Sequence, residues 1–179
     1  MRSIAVFCGS REGKNPLFLQ HALELGRLIA DKGIRLIYGG GKKGLMGSLA
    51  EGLLASGGLV TGIIPKALLE WEVQHTGLTE LIITGDMHER KKQLFSRCEA
   101  AIILPGGFGT LDEMFEMLTW NQLNIHDKSL HVLNSAGFYD HLYQHLMKVQ
   151  EEGFLYGNLE DRLTFSNEPV ILIEKLFKN

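Results

Sequence analysis

Along the chain, short apolar runs that stop at a glycine or a polar turn alternate with longer stretches in which apolar residues recur at helical spacing. The runs "SIAVFCG", "IRLIYGGG", "LVTGIIP", "ELIITGD", "AAIILPGG", "LHVLN" and "LTFSN" predict seven β-strands, the first six at nearly even intervals. Between the first two, Phe18, Ala22, Leu25 and Ile29 form one apolar stripe, with Asn15 as cap, Pro16 at the first helical position and Gly33 as the stop. Leu45 to Ser56, Met87 to Cys98, Thr110 to Gln122, Phe138 to Glu151 and Glu168 to Phe177 predict five further helices. Apolar strands alternating with helices belong in a parallel sheet covered on both faces. The expectation is an α/β fold: a doubly wound parallel sheet of about seven strands, with any ligand beyond the carboxyl ends of the strands, near the point where strand order reverses.

No Pro/Ser-rich linker, charge block or repeat divides the chain, so residues 1–179 read as one domain, large enough to bury a sizeable core. The formal net charge of −3 gives no general attraction to nucleic acid or to an anionic membrane, and the one basic cluster, "HERKK" at 88–92, reads first as a solvated helix face. Cys8 and Cys98 are too few for a disulfide framework, and no Cys/His cluster has zinc-ligand spacing, so a reducing compartment and no metal are expected. The start, "MRSIAVFCGS", reads as a first strand rather than a signal peptide, and the longest uncharged stretch falls short of a membrane span. The expected location is the cytoplasm.

Glycine closes three strand ends. "YGGGKKGLMG" satisfies GxGxxG through Gly39, Gly41 and Gly44, but the ribose-binding acid that a dinucleotide site needs about 20 residues on is missing from "LVTGIIPK", so NAD is the weaker reading. No Gly-Lys-Ser/Thr follows either, which removes the Walker loop of phosphoryl transfer. "PGGFGT" has a sharper logic. Gly106, Gly107 and Gly109 permit positive φ and close backbone approach, and the helix that follows offers unpaired N–H groups and the positive end of its dipole to a phosphate. Thr110 can add a hydroxyl to that phosphate, or it can cap the helix, with Glu113 closing a capping box. The residues alone leave both readings open.

Glu113 and Glu116 stand one turn apart, so both are expected to face a ligand at the helix start, whereas Asp112 is placed on the surface side. Arg90, in the first turn of the helix that follows "ELIITGD", brings a permanently charged fork to the same rim. Lys91 and Lys92 should split, one inward and one solvated, and His88 stands alone. Glycine turns, an arginine and carboxylates on one rim point to a small phosphorylated ligand without fixing a reaction.

"PGGFGTLDE" resembles the PGGxGTxxE motif of the LOG (Lonely Guy) family, the cytokinin riboside 5′-monophosphate phosphoribohydrolases long mislabelled as lysine decarboxylases. "CGSREG", "YGGGKKGLMG", "IPKALLEWEV", "GLTEL", "DMHERK" and "TWNQLNIHDK" resemble the family's segments in order over most of the chain. Ser129 replaces the Pro that often follows "HDK", and Arg11 stands where Ser is common. The resemblance implies a Rossmann-like fold, usually homodimeric, that hydrolyses the N-glycosidic bond of a nucleoside 5′-monophosphate, without cofactor or metal. It puts Arg90 and Glu113 in the catalytic roles. Substrate contacts carry over to Glu72, Arg90, Lys91, Gly107, Phe108, Gly109, Thr110 and Glu113, with Glu116 added as a pocket-side residue and the phosphate on Gly107, Gly109 and Thr110. The alternative is a non-catalytic nucleotide or cofactor carrier on the same fold, since fold alone never fixes activity. A pyridoxal-dependent decarboxylase is set aside, because no Lys has a convincing Schiff-base setting.

Overall fold

The computed structural model describes residues 1–69 and 74–177. Its strands are β1 (Ser3–Phe7), β2 (Arg35–Tyr38), β3 (Val60–Pro65), β4 (Glu80–Thr84), β5 (Ala100–Ile103), β6 (Leu130–Leu133) and β7 (Leu163–Ser166). The helices are α1 (Pro16–Asp31), α2 (Gly44–Ala55), α3 (Met87–Ser96), α4 (Phe108–Gln122), α5 (Asp140–Glu151) and α6 (Pro169–Leu176). All strands pair in parallel in the order β4-β3-β2-β1-β5-β6-β7. The chain winds outward from β1 to β4 and then crosses back to β5, so strand order reverses between β1 and β5.

Alternation along each strand divides the core in two. Ile4 and Val6 of β1, with Leu36 and Tyr38 of β2, face Leu25 and Ile29 of α1 and Leu49 and Leu53 of α2. Ala5, Phe7 and Ile37 point the other way, onto Leu94 and Phe95 of α3 and Met114 and Met117 of α4. Each such fully buried large side chain contributes about 1.5–3 kcal/mol over its exposed state.

The start and stop signals of α1 act as expected: Asn15 Oδ1 accepts from Leu17 N at 3.0 Å, and Gly33, at φ 66°, follows the last turn. Two helix starts differ from expectation by two residues. Helix α4 begins at Phe108, two residues before Thr110, and α5 begins at Asp140 rather than Phe138. Ala136 sits at φ 52° and Asn134 Oδ1 takes the Tyr139 amide at 2.7 Å, which turns the chain before helix starts.

Candidate active site

A cleft of about 520 Å³ opens at the β1/β5 switch point, where doubly wound sheets bind their ligands. Its walls come from the loop after β1 (Cys8 to Gly13), the loop after β5 with the first turns of α4 (Pro105 to Thr110, and Glu113), and Arg90 of α3. Gly9 N donates to Pro105 O at 3.0 Å, which fixes the two loops against each other.

Arg90 and Glu113 meet in this cleft. Arg90 Nη1 donates to Glu113 Oε1 at 2.9 Å and Arg90 Nε donates to the carbonyl of Ile63 at 3.2 Å. Their side chains are only 10% and 11% exposed, so the pair is largely desolvated. Burial raises the Glu113 pKa above the ordinary carboxylate value, against the lowering effect of Arg90, and Asp112 adds to the rise. Gly39 makes room for the guanidinium, since a Cβ there would fall 2.7 Å from Arg90 Nη2. Cys8, at the end of β1, is buried beside them, and burial followed by the Glu113 charge pushes its thiol far up.

Helix α4 starts without a side-chain cap: Gly107 is its N-cap, and the first helical bond runs from Leu111 N to Gly107 O at 3.1 Å. The amides of Phe108, Gly109 and Thr110 precede that bond and have no acceptor among the described residues, so they and the helix dipole face the cleft. The capping reading of Thr110 is therefore overturned. Thr110 lies in the first turn, nearly buried in the cleft wall, and the Glu113 carboxylate bonds Arg90 instead of closing a capping box. None of Gly106, Gly107 and Gly109 uses a positive φ. Gly106 is required by close approach, a Cβ there falling 2.1 Å from Thr110 Oγ1, whereas a Cβ at Gly107 or Gly109 would meet only open space. Phe108 projects outward, 93% exposed, at the cleft mouth.

The other site residues separate. Glu116 stands three residues beyond Glu113, which turns it about 60° around the helix and out of the cleft wall. Its Oε2 lies 2.6 Å from Lys91 Nζ, and the same Nζ lies 2.7 Å from Asp112 Oδ2. Burial works to lower the Lys91 pKa, but these two carboxylates outweigh it and raise the value. Lys91 and Glu116 are thus engaged with each other, and neither lines the cleft. Lys92 and His88 are exposed. Glu72 lies outside the described residues.

The GxGxxG stretch is a packing device. Gly44, at φ 62°, presses on the Ser10–Arg11 backbone, and Leu45 N and Met46 N donate to Gly9 O at 3.1 and 3.4 Å, so the start of α2 is closed by protein. Sequence reasoning missed Phe18, Leu68, Met87 and Phe138, which with Leu45 and Met46 of the turn "GLMG" form the apolar part of the cleft. Phe138 follows Gly137 just past the carboxyl end of β6, and its position at a strand end was the available signal.

The model of the family described as possible lysine decarboxylase matches residues 46–176. A probable cytokinin riboside 5′-monophosphate phosphoribohydrolase of Oryza sativa subsp. japonica, LOGL1, is 47% identical over 85% of this chain and 68% of its own length. The cytokinin riboside 5′-monophosphate phosphoribohydrolase LOG3 of Arabidopsis thaliana is 39% identical over 98% of this chain and 81% of its own. The chain belongs to the LOG family. Among solved structures, the molybdenum cofactor binding protein of the phototrophic bacterium Rippkaea orientalis has a TM-score of 0.73 at 26% identity, covering 98% of this chain and 94% of that one. A molybdenum cofactor carrier protein from Chlamydomonas reinhardtii, at 20% identity and TM-score 0.72 over 98% of this chain and 95% of its own, shares the fold. The decarboxylase description finds no support in the site of this LOG-family chain, since among the described residues no lysine lines the cleft. No helix among them is long and apolar enough to cross a membrane.

Proposed function

We propose that this cleft hydrolyses the N-glycosidic bond of a nucleoside 5′-monophosphate, releasing the free base and ribose 5-phosphate. The observation that carries the reading is the buried Arg90–Glu113 pair, set beside the uncapped start of α4 in one cleft. The phosphate would take the amides of Phe108, Gly109 and Thr110, with the Thr110 hydroxyl, and Gly107 and Gly109 leave the space it needs. Remote binding of this kind orients the sugar at the reacting centre.

As the bond from C1′ to the base nitrogen breaks, positive charge grows on the ribose ring. Glu113, beside the anomeric carbon, stabilises that charge and orients the attacking water. The water oxygen bonds to C1′ as the C1′–N electron pair leaves with the base. The water's proton passes to Glu113, the base nitrogen takes one proton from solvent, and Glu113 later returns its proton to solvent, so one water is consumed. Arg90 cannot donate a proton; it holds Glu113 and the ribose in register. Glu72 belongs to the substrate contacts that family resemblance carries over, and a cytoplasmic homodimer is part of the reading, checked by light scattering on the purified protein.

The apolar wall formed by Phe18, Leu45, Met46, Leu68, Met87 and Phe138 favours an N6-prenylated adenine over adenine itself. Burying the alkyl group there is worth about 0.8 kcal/mol per CH₂. Incubation with AMP and with isopentenyladenosine monophosphate, followed by chromatography of the bases, tests the reaction and the preference together. Adenine and isopentenyladenine should both appear, the latter faster. The rival reading, a nucleotide or cofactor carrier, draws on the likeness to the Rippkaea orientalis protein. It predicts bound ligand and no free base.

A further inference from the structure

Two consecutive cations of α3 meet three acids of α4. Arg90 takes Glu113, while the single ammonium of Lys91 stands 2.7 Å from Asp112 and 2.6 Å from Glu116, the residues one before and three after Glu113 on its own helix. The Lys91 side chain is 17% exposed and is no part of the cleft wall. A lysine held by two carboxylates at these distances would have to surrender both before it could reach a phosphate.

We infer that Lys91 is a positioning residue for Glu113: it offsets part of the charge of the two acids that flank the catalytic carboxylate and ties α3 to α4 at the spacing the Arg90–Glu113 contact needs. The inference rests on the reading of Glu113 as the catalytic carboxylate.

The charged and titratable groups around Glu113 make the electrostatic half explicit. Arg90 and Lys91 face it from α3, Asp112 adjoins it on α4 with Glu116 one turn on, and Cys8 approaches from the end of β1 as a neutral thiol. Burial already favours the protonated form of Glu113, Asp112 adds to that, and Lys91 opposes it. With Lys91 gone, the Asp112 charge acts on Glu113 against Arg90 alone, and the carboxylate takes its proton at higher pH. A protonated Glu113 neither stabilises ribose charge nor accepts a proton from water.

The test is the pH dependence of kcat and KM for AMP hydrolysis in Lys91→Met, Lys91→Arg and the triple variant Lys91→Met/Asp112→Asn/Glu116→Gln. Lys91→Met should lower kcat about tenfold near neutral pH with KM within about threefold of the parent, and move the acid limb of kcat to higher pH. Lys91→Arg, which keeps the charge, should restore kcat and the limb, and the triple variant should return the limb toward its original position. A KM raised tenfold or more by Lys91→Met, with kcat and the acid limb unmoved, would overturn the inference by making Lys91 a substrate contact. A triple variant whose limb stays displaced also overturns it. Glu113→Gln, assayed alongside, reads the catalytic assignment separately: turnover near the parent's removes that assignment whatever the Lys91 series shows.

Discussion

Arg90 Nη1 lies 2.9 Å from Glu113 Oε1, closing a contact between the first turn of α3 and the second turn of α4 with both side chains nearly withdrawn from water. A buried pair of this kind is weak evidence for stability, because desolvation of the two charges offsets their attraction. Its position in the cleft, with unpaired amides beside it, is better explained by the charge that develops on a substrate.

Glu113→Gln keeps the shape and the contact with Arg90 but removes the negative charge. Base release should fall by about 10³-fold or more, the scale of a lost electrostatic stabiliser, while the nucleotide still binds. Single-turnover assays and calorimetric titration with AMP check the two halves. Near-normal turnover would sink the assignment.

Arg90→Ala leaves the Glu113 carboxylate buried without its partner. Thermal or urea unfolding should show a loss on the order of 3 kcal/mol, together with weaker AMP binding and slower turnover. Arg90→Lys should rescue little, because an ammonium cannot serve the Ile63 carbonyl and Glu113 from one planar fork. An unchanged AMP affinity in the alanine variant would contradict the contact.

Neighbouring glycines should respond in opposite ways. Gly107→Ala places its Cβ in open space, at the position proposed for the phosphate, so the protein should keep its melting temperature while KM rises about tenfold or more. Gly106→Ala drives its Cβ against Thr110 and the Gly9 amide, so it should destabilise the fold by roughly 1–3 kcal/mol. Equal melting temperatures with equal KM values would remove the distinction.

The raised pKa of Glu113, caused first by burial, fixes the acid side of the rate profile. The ionised form works, so kcat should decline as pH falls through a value above the ordinary carboxylate range of about 4. A separate effect governs stability. Burial, aided by Lys175, lowers the His131 pKa from 6.5 to about 4. Between those values the unfolded chain binds the proton and the folded one does not. Stability from His131 is therefore full above 6.5 and falls as pH drops toward 4, by up to about 3 kcal/mol, which urea titrations at several pH values should follow.

The sheet was legible in the sequence because every strand is a short apolar run closed by glycine or a polar turn. Asn15, Pro16 and Gly33 marked both ends of α1. The glycine turn before α4 and the meeting of Arg90 with Glu113 in one cleft were legible because each lies just past a strand end, where doubly wound sheets place their ligands. What spacing leaves open is angular. Glu113 and Glu116 share a face only loosely, and which of them enters the cleft depends on how α4 is rotated against α3, a tertiary quantity that spacing does not encode. The Thr110 reading failed because an uncapped glycine start carries no local signal distinct from a threonine cap. Phe18, Met87 and Phe138 reach the cleft from separate loops and helices, and no motif joins them.

The products formed from a nucleoside 5′-monophosphate separate hydrolysis from carriage most directly. Purified protein incubated with AMP should release adenine and ribose 5-phosphate in equal amounts, and Glu113→Gln should release neither while still binding AMP. Stoichiometric AMP binding with no free adenine from the unaltered protein would contradict the hydrolytic reading and leave a carrier.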